Sequence, residues 1–299
     1  MEAWLDGKFV DWQEVKVSPL SHAFSRGVAI FEVALICDTE RGPSIFLHED
    51  HLERFHNSAR LMHMTLAQSP GELDRAIVET VRRNRVRDGI LKYYAYFTGQ
   101  EMSPLPKAAH PSLVIYSGGY RQMGFDPVKA ASPKAAGLAP YRKLHCESVP
   151  IKAKVTGYYV GAYLASLELT QRGIDVPIFL DAEGFVTEGG VQNHFFVRGG
   201  EIITPPLERV LAGTTRRVVI EACREQGLTV REQDLRAQDL AEMEEGFCCG
   251  SISRISPFKS LEGRKLAPCP GPVTRKVLEI MDQVYRCARP EYARYHRFL

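Results

Sequence analysis

Residues 29–36, Ala-Ile-Phe-Glu-Val-Ala-Leu-Ile, form a nearly continuous apolar run. It is too short for a membrane span, which needs about 18 such residues, and too unbroken for a strand with one wet face. The run predicts a buried strand, and a strand buried on both sides must be covered by other elements of a substantial core. A chain of 299 residues that is 44% hydrophobic can supply one.

Around this run, strand and helix signals alternate irregularly. Residues 4–12 predict a hairpin turning at Asp6-Gly7, a pair that suits a type I′ turn because both central residues take positive φ. Leu52, Phe55, Ala59 and Met62 recur at helical spacing across 48–64, and Leu73, Ile77, Val78 and Val81 mark a second amphipathic helix. Strands are predicted over 91–98 and 112–116, which makes residues 1–120 a small mixed α/β domain. The glycine-rich, aperiodic stretch 118–127 predicts a linker, taken as 121–130. Residues 131–299 then form a larger domain. It has strands over 177–180 and 194–197, and a Gly199-Gly200 turn into a strand over 201–204. A helix follows over 215–226, stopped by Gly227, and a last helix over 273–287, ended by Pro290. The fold class expected is α+β, in two domains.

Charge and cysteine usage exclude several function classes. Lys plus Arg total 38 against 36 Asp plus Glu, a net charge of +2, without the basic excess that phosphate-tracking proteins carry, so no nucleic-acid partner is expected. No apolar run could span a membrane, and the Met1–Asp6 start has no basic leader before an apolar stretch, so a cytoplasmic location is expected. Seven cysteines, with Cys248 and Cys249 adjacent and no Cys-x-x-Cys, make neither a disulfide framework nor a zinc site. His48 and His51 lie three apart, not the four that bring two imidazoles to one zinc, so no metal is expected.

Four segments could carry chemistry. Gly213-Thr214-Thr215 opens a helix, where free amides and hydroxyls make an anion site, although an ordinary capped helix explains the same residues. Gly250-Ser251 could form a second such cradle. Lys152 and Lys154 lie among apolar residues, glycine and Tyr158-Tyr159, a setting that favours a nucleophilic amine; two solvated loop lysines are the plainer alternative. Glu188 stands in the glycine-rich turn Glu188-Gly189-Gly190, where backbone can approach a ligand closely, as it can in any surface turn.

Taken in order, these segments resemble the class IV aminotransferases, the pyridoxal-phosphate enzymes of fold type IV with a D-amino acid aminotransferase-like fold. Ser21-His22-Ala23-Phe24 with Gly27 and Phe31-Glu32 resembles the early family motif, and His51 to Ala59 the helix that lends an arginine to the cofactor phosphate. Ile255-Ser256-Pro257-Phe258, Gly271-Pro272-Val273-Thr274 and Pro290-Glu291-Tyr292 are most similar to the branched-chain amino acid branch. The resemblance implies pyridoxal 5′-phosphate as cofactor, Lys154 as the Schiff-base lysine and Lys152 as a bystander or a modulator. It implies Tyr159 at the phenolic oxygen, Glu188 at the pyridine nitrogen, and Arg54, Thr214, Thr215 and Ser251 around the phosphate. Arg26, Phe31, Tyr93 and Ile252 would meet the substrate.

The activity so implied is ping-pong transfer of an amino group between an amino acid, a branched-chain L-amino acid by the nearest pattern, and a 2-oxo acid such as 2-oxoglutarate. The partner implied is a second copy of the chain, in a homodimer or higher homo-oligomer. D-amino acid transamination, aminodeoxychorismate lysis and cofactor binding without turnover are the alternatives. Arg26 stands where the branched-chain pattern has tyrosine, Val33 and Leu35 where it has glycine and arginine, and His194 where it has an apolar residue. An arginine at 26 facing the pocket would suit an acidic or small substrate.

Overall fold

The computed structural model describes all 299 residues, which divide into two compact units. The first comprises residues 1–126, 152–158 and 285–299, and the second 127–151 and 159–284. The division is therefore not the contiguous one expected. Residues 152–158 join the first unit because they hydrogen-bond to its backbone, as described below. The C-terminal tail joins it because strand His296–Phe298 pairs antiparallel with residues 44–46.

The first unit is built on a seven-stranded antiparallel sheet. Its elements are β1 (Glu2–Leu5), β2 (Lys8–Asp11), α1 (His22–Arg26), β3 (Ala29–Thr39), β4 (Gly42–Phe46), α2 (His48–Leu61), α3 (Pro70–Arg83), β5 (Gly89–Tyr96) and β6 (Ser112–Gly118). The strand order is C-terminal strand, β4, β3, β5, β6, β1, β2. The first hairpin turns where its sequence predicts, with Asp6 at φ 45° and Gly7 at φ 96°. A capping box at Ser69 and Glu72, with Pro70 in the first turn, starts α3; such a cap contributes about 1 kcal/mol. Ile30, Ala34 and Ile36 of β3 share one core with Phe55 and Ala59 of α2 and Leu73, Ile77 and Val81 of α3. Over the predicted run 29–36, strand β3 is buried on both faces as expected except at Phe31 and Val33, which are only half-buried; beyond it Asp38 is exposed. There the face of the sheet turned away from α2 opens.

The second unit carries α4 (Pro127–Ala131), β7 (Lys134–Arg142), α5 (Val160–Gln171), β8 (Val176–Leu180), β9 (Asn193–Arg198), β10 (Glu201–Thr204), α6 (Thr214–Glu225), β11 (Val230–Glu232), β12 (Glu245–Gly250), β13 (Arg254–Leu261), β14 (Arg264–Lys265) and α7 (Pro272–Tyr285). Its mixed sheet runs β11, β10, β9, β12, β13, β7, β8, with β14 on β13. The parallel pairs are β10–β11, β13–β7 and β7–β8. The final helix ends at Tyr285, short of the residue 287 expected, and Cys287 takes φ 52°. Helix α5 has no signal in the sequence because its apolar residues surround it: Ala165 and Leu169 are buried while Val160, Tyr163, Leu164 and Leu167 are exposed. No helix of the chain is long and apolar enough to cross a membrane.

Candidate active site

In the first unit, residues 152–158 lie across the end of β3. The Phe31 N–H donates to the Lys154 carbonyl at 3.1 Å, and the Gly157 N–H to the Gly27 carbonyl at 3.0 Å. The Thr156 hydroxyl donates to the same Gly27 carbonyl at 2.8 Å, and Ile30 bridges Val155. Gly27 is required for this approach. It ends α1 at φ +66°, and a Cβ there would stand 2.8 Å from the Gly157 Cα. Lys154 is fixed from a second side, since its N–H donates to the Ser58 hydroxyl of α2 at 3.0 Å. Both of its backbone groups are thus held, and its ammonium stands 4.8 Å from the centre of the Phe31 ring. Lys152, by contrast, is exposed.

The pairing of β3 with β5 sorts the substrate-facing candidates. Phe31 is opposite Tyr94, Glu32 opposite Tyr93, and Val33 opposite Lys92. Since successive side chains alternate across a sheet, Phe31, Val33, Tyr94 and Lys92 share the open face, and Glu32 and Tyr93 share the face that α2 covers. The Phe31 and Tyr94 rings stack at 5.5 Å, and the Lys92 ammonium lies 5.0 Å from Tyr94 and 5.5 Å from Phe31. Tyr93 therefore does not line a pocket with Phe31, as expected from the sequence. It is fully buried, packs edge-on against Phe55 at 5.0 Å, and its hydroxyl has no partner. Lys92 and Tyr94 take its place on that face, selected by the register with β3. Arg26 is likewise not turned into this face. It is exposed, and its guanidinium donates to the Met102 carbonyl at 2.8 Å and to the Ser25 hydroxyl at 2.9 Å.

Beneath the sheet, Glu32 has no solvent exposure. Arg54 holds it through Nε and Nη2, each at 2.7 Å, and His51 Nδ1 lies 2.7 Å from its second oxygen. His51 and Arg54 are three apart on α2 and so share a face. Burial opposes the charge on Glu32, but the Arg54 charge and the Arg54 and His51 hydrogen bonds outweigh it and bring the carboxyl down to about 2. Burial pushes His51 below its ordinary range, only partly offset by Glu32, so the imidazole is neutral and donates through Nδ1. His48 takes a different acid, Asp74, at 2.7 Å.

In the second unit, Glu188 closes the turn between β8 and β9. The Phe179 N–H donates to its carbonyl at 3.0 Å and the Gly189 N–H to the Gln192 carbonyl at 2.8 Å. Its carboxylate accepts from the Asn193 amide at 3.0 Å, from the Leu211 N–H at 3.1 and 3.2 Å, and from the Lys143 ammonium. Two carboxylate oxygens offer about four lone-pair sites. Because the Leu211 N–H reaches both oxygens, these donors already engage each oxygen twice, so a further N–H would have to displace one of them. Neither Lys143 nor its pairing had any signal in the sequence.

Leu211 leads into α6, whose first turn carries the buried Thr214 and Thr215. No side chain caps this helix, and the Thr215 hydroxyl is buried without a partner. At Gly213 a Cβ would overlap the Asn193 side-chain oxygen, so glycine lets the helix start close to the Glu188 turn. A helix N-terminus whose dipole favours negative charge, with the Thr215 hydroxyl orphaned in its first turn, has the chemistry that suits an anion. Ser251 and Ile252 occupy the turn between β12 and β13, half-buried. Tyr159, also half-buried, precedes the first residue of α5. His194 is fully buried against Phe196 and Phe258, and burial pushes it down to about 3, so it serves as an apolar residue.

Comparison with known proteins places these features in context. The family model of class IV amino-transferases matches residues 29–261. The branched-chain-amino-acid aminotransferase of Escherichia coli K12 is 30% identical over 281 residues, covering 92% of this chain and 89% of that one. The probable branched-chain-amino-acid aminotransferase of Aquifex aeolicus is 29% identical, covering 99% and 95%. Among solved structures, the branched-chain aminotransferase of Thermoproteus uzoniensis with norvaline superposes with a TM-score of 0.92 at 31% identity, covering 99% of this chain and 98% of that one. The T.th. branched-chain amino acid aminotransferase complexed with N-(5′-phosphopyridoxyl)-L-glutamate does so with a TM-score of 0.92 at 29% identity and the same coverage.

Proposed function

The chain belongs to the class IV aminotransferases and is a pyridoxal-phosphate-dependent transaminase; on that premise we propose that it exchanges amino groups between branched-chain L-amino acids and 2-oxoglutarate, with Lys154 as the catalytic amine. The observation that carries the assignment is the seating of Lys154. Its backbone is fixed by Phe31 and Ser58 and its ammonium is directed over the Phe31 ring on the open face of the sheet. The bound cofactor supplies an electron sink for the carbanion formed at the substrate Cα. Lys154 carries the cofactor and moves the proton at that carbon as general acid and base. Both amino donors use one site in turn, which gives ping-pong kinetics.

The remaining residues fit the cofactor. Thr214 and the orphaned hydroxyl of Thr215 at the α6 start suit a phosphate monoester, and Ser251 and Arg54 are proposed as further phosphate donors. The Glu188 carboxylate would receive a pyridinium N–H in place of one of its present donors, and Tyr159 would donate to the phenolic oxygen. For the substrate, Phe31, Val33 and Tyr94 offer an apolar, aromatic surface to a branched side chain, and Ile252 is proposed as a further substrate contact. Lys92, beside those rings, would meet the distal carboxylate of 2-oxoglutarate. Replacing Lys92 with methionine is expected to lower kcat/KM for L-glutamate about tenfold while leaving L-leucine nearly unchanged, because one charge-assisted contact is lost and the apolar surface is kept. Equal losses for both substrates in steady-state assays would remove Lys92 from the carboxylate site.

The absorption spectrum of the purified protein tests the substrate assignment. Its visible band should bleach on addition of L-leucine, L-valine or L-glutamate. Bleaching only with D-alanine or D-glutamate, or pyruvate release from aminodeoxychorismate, would overturn it. The second copy is proposed to dock on the exposed apolar residues of α5, where Val160, Tyr163, Leu164 and Leu167 recur at helical spacing and form one stripe. Sedimentation should give at least twice the 33.6 kDa chain mass, and Leu167→Glu should lower it; a 33.6 kDa species for the unmodified chain would refute the interface. None of the seven cysteines forms a disulfide, which suits the reducing cytoplasm proposed as its location.

A further inference from the structure

A carboxylate with no exposure in the middle of an apolar strand calls for an explanation beyond stability. A buried ion pair seldom stabilises a fold better than apolar residues of the same volume would. What such a pair does supply is orientation. Glu32 grips the Nε–Nη2 edge of Arg54 with two parallel bonds of 2.7 Å, and a two-pronged contact of this kind fixes both the plane and the rotation of a guanidinium. His51 donates to the same carboxylate from one turn earlier on α2, so Glu32 is itself fixed. The Arg54 side chain retains 10% exposure, whereas Glu32 retains none and His51 2%. The Arg54 side chain is therefore the member of the group with the most exposure, and the Nε–Nη2 edge of its guanidinium is already committed inward.

We propose that Glu32 is a positioning residue that, with His51, fixes Arg54 as a rigid receptor for the phosphate of the cofactor. The proposal rests on the reading of Arg54 as a phosphate ligand. An arginine on a free stem would have to order its rotamers on binding, and here that ordering is complete beforehand. A simple countercharge would act oppositely: as an anion near the phosphate, Glu32 would weaken binding, and its removal would strengthen it.

The test compares pyridoxal 5′-phosphate with pyridoxal, which lacks the phosphate. Their dissociation constants are measured by absorbance on the full-length chain after its cofactor has been dialysed away. The dissociation constant of pyridoxal divided by that of pyridoxal 5′-phosphate reports the phosphate contact, and a general loss of structure moves both constants together. Arg54→Lys retains a cation against Glu32 but loses the fork, and should lower the ratio about tenfold. Glu32→Gln should lower it about as far, leave pyridoxal itself within about twofold, and add little when combined with Arg54→Lys. Glu32→Asp keeps the charge but withdraws the carboxylate, and should show a smaller fall in the same direction even if Glu32→Gln does not fold. A ratio that is unchanged or higher in both Glu32 variants while Arg54→Lys lowers it would overturn the positioning role. A ratio unchanged in Arg54→Lys would show instead that the phosphate reading of Arg54 is mistaken.

Discussion

Replacing Lys154 with alanine is expected to lower transamination about 10,000-fold, the upper end of what one acid–base group supplies, because the same amine also carries the cofactor. The fold should survive. The structural work at position 154 is done by its backbone, through the Phe31 N–H and the Ser58 hydroxyl, and alanine keeps both bonds. What disappears from the folded chain is a cation over the Phe31 ring at 4.8 Å, a contact contributing about 0.5–1 kcal/mol when partly exposed. A thermal midpoint within a few degrees of the parent, together with loss of the visible absorption band, is the outcome that identifies Lys154. Appreciable turnover in the variant would transfer the role to Lys152, which is exposed two residues earlier and makes no such contact.

The positions that carry this assignment were legible because backbone and motif agree. Gly27 reads as part of a motif in the sequence, and in the structure it is the residue whose missing Cβ admits the lysine segment. Gly213-Thr214-Thr215 reads as a helix start suited to an anion, and the structure leaves the Thr215 hydroxyl without a partner there. The hairpin at Asp6-Gly7 and the stop at Gly227 followed from positive φ, which a local signal encodes.

What remained illegible depends on register and on distant pairing. A single tyrosine-rich strand, Lys92-Tyr93-Tyr94-Ala95-Tyr96, does not say which of its faces is wet. The pairing of Glu32 with Tyr93 decides it, and that pairing joins residues about sixty apart. Lys143 meets Glu188 across 45 positions, and neither residue's neighbours announce the other. Helix α5 escaped detection for the opposite reason: one apolar stripe, Ala165 and Leu169, faces inward and another, Val160, Tyr163, Leu164 and Leu167, faces outward, so the two oppose and no single wet face marks the helix. The two lone segments that rejoin the first unit, 152–158 and 285–299, are short and give no boundary signal of their own.

The acid in the apolar run leads to the second large expected effect. Arg54→Ala should cost about 3–5 kcal/mol at neutral pH, because it leaves a buried carboxylate without its principal partner. That loss corresponds to a fall on the order of 10 °C in the thermal midpoint. The pH dependence separates this cause from ordinary loss of packing. In the parent, Glu32 falls from 4.5 to about 2 on folding, so its contribution, about 3 kcal/mol, is complete above pH 4.5 and is lost as the pH falls toward 2. In the variant the groups that still face Glu32 are His51 from α2 and Tyr93 from β5. Burial then prevails over the remaining hydrogen bond and raises the carboxyl above its unfolded value. The folded chain now binds a proton that the unfolded chain does not, on Glu32 or on His51, so stability falls as pH rises. The gap between variant and parent should therefore narrow from about pH 8 to about pH 5, as measured by urea midpoints. A gap of constant size across that range would mean that Arg54 supports the fold by packing alone, and that the charge of Glu32 is compensated by something other than the guanidinium beside it.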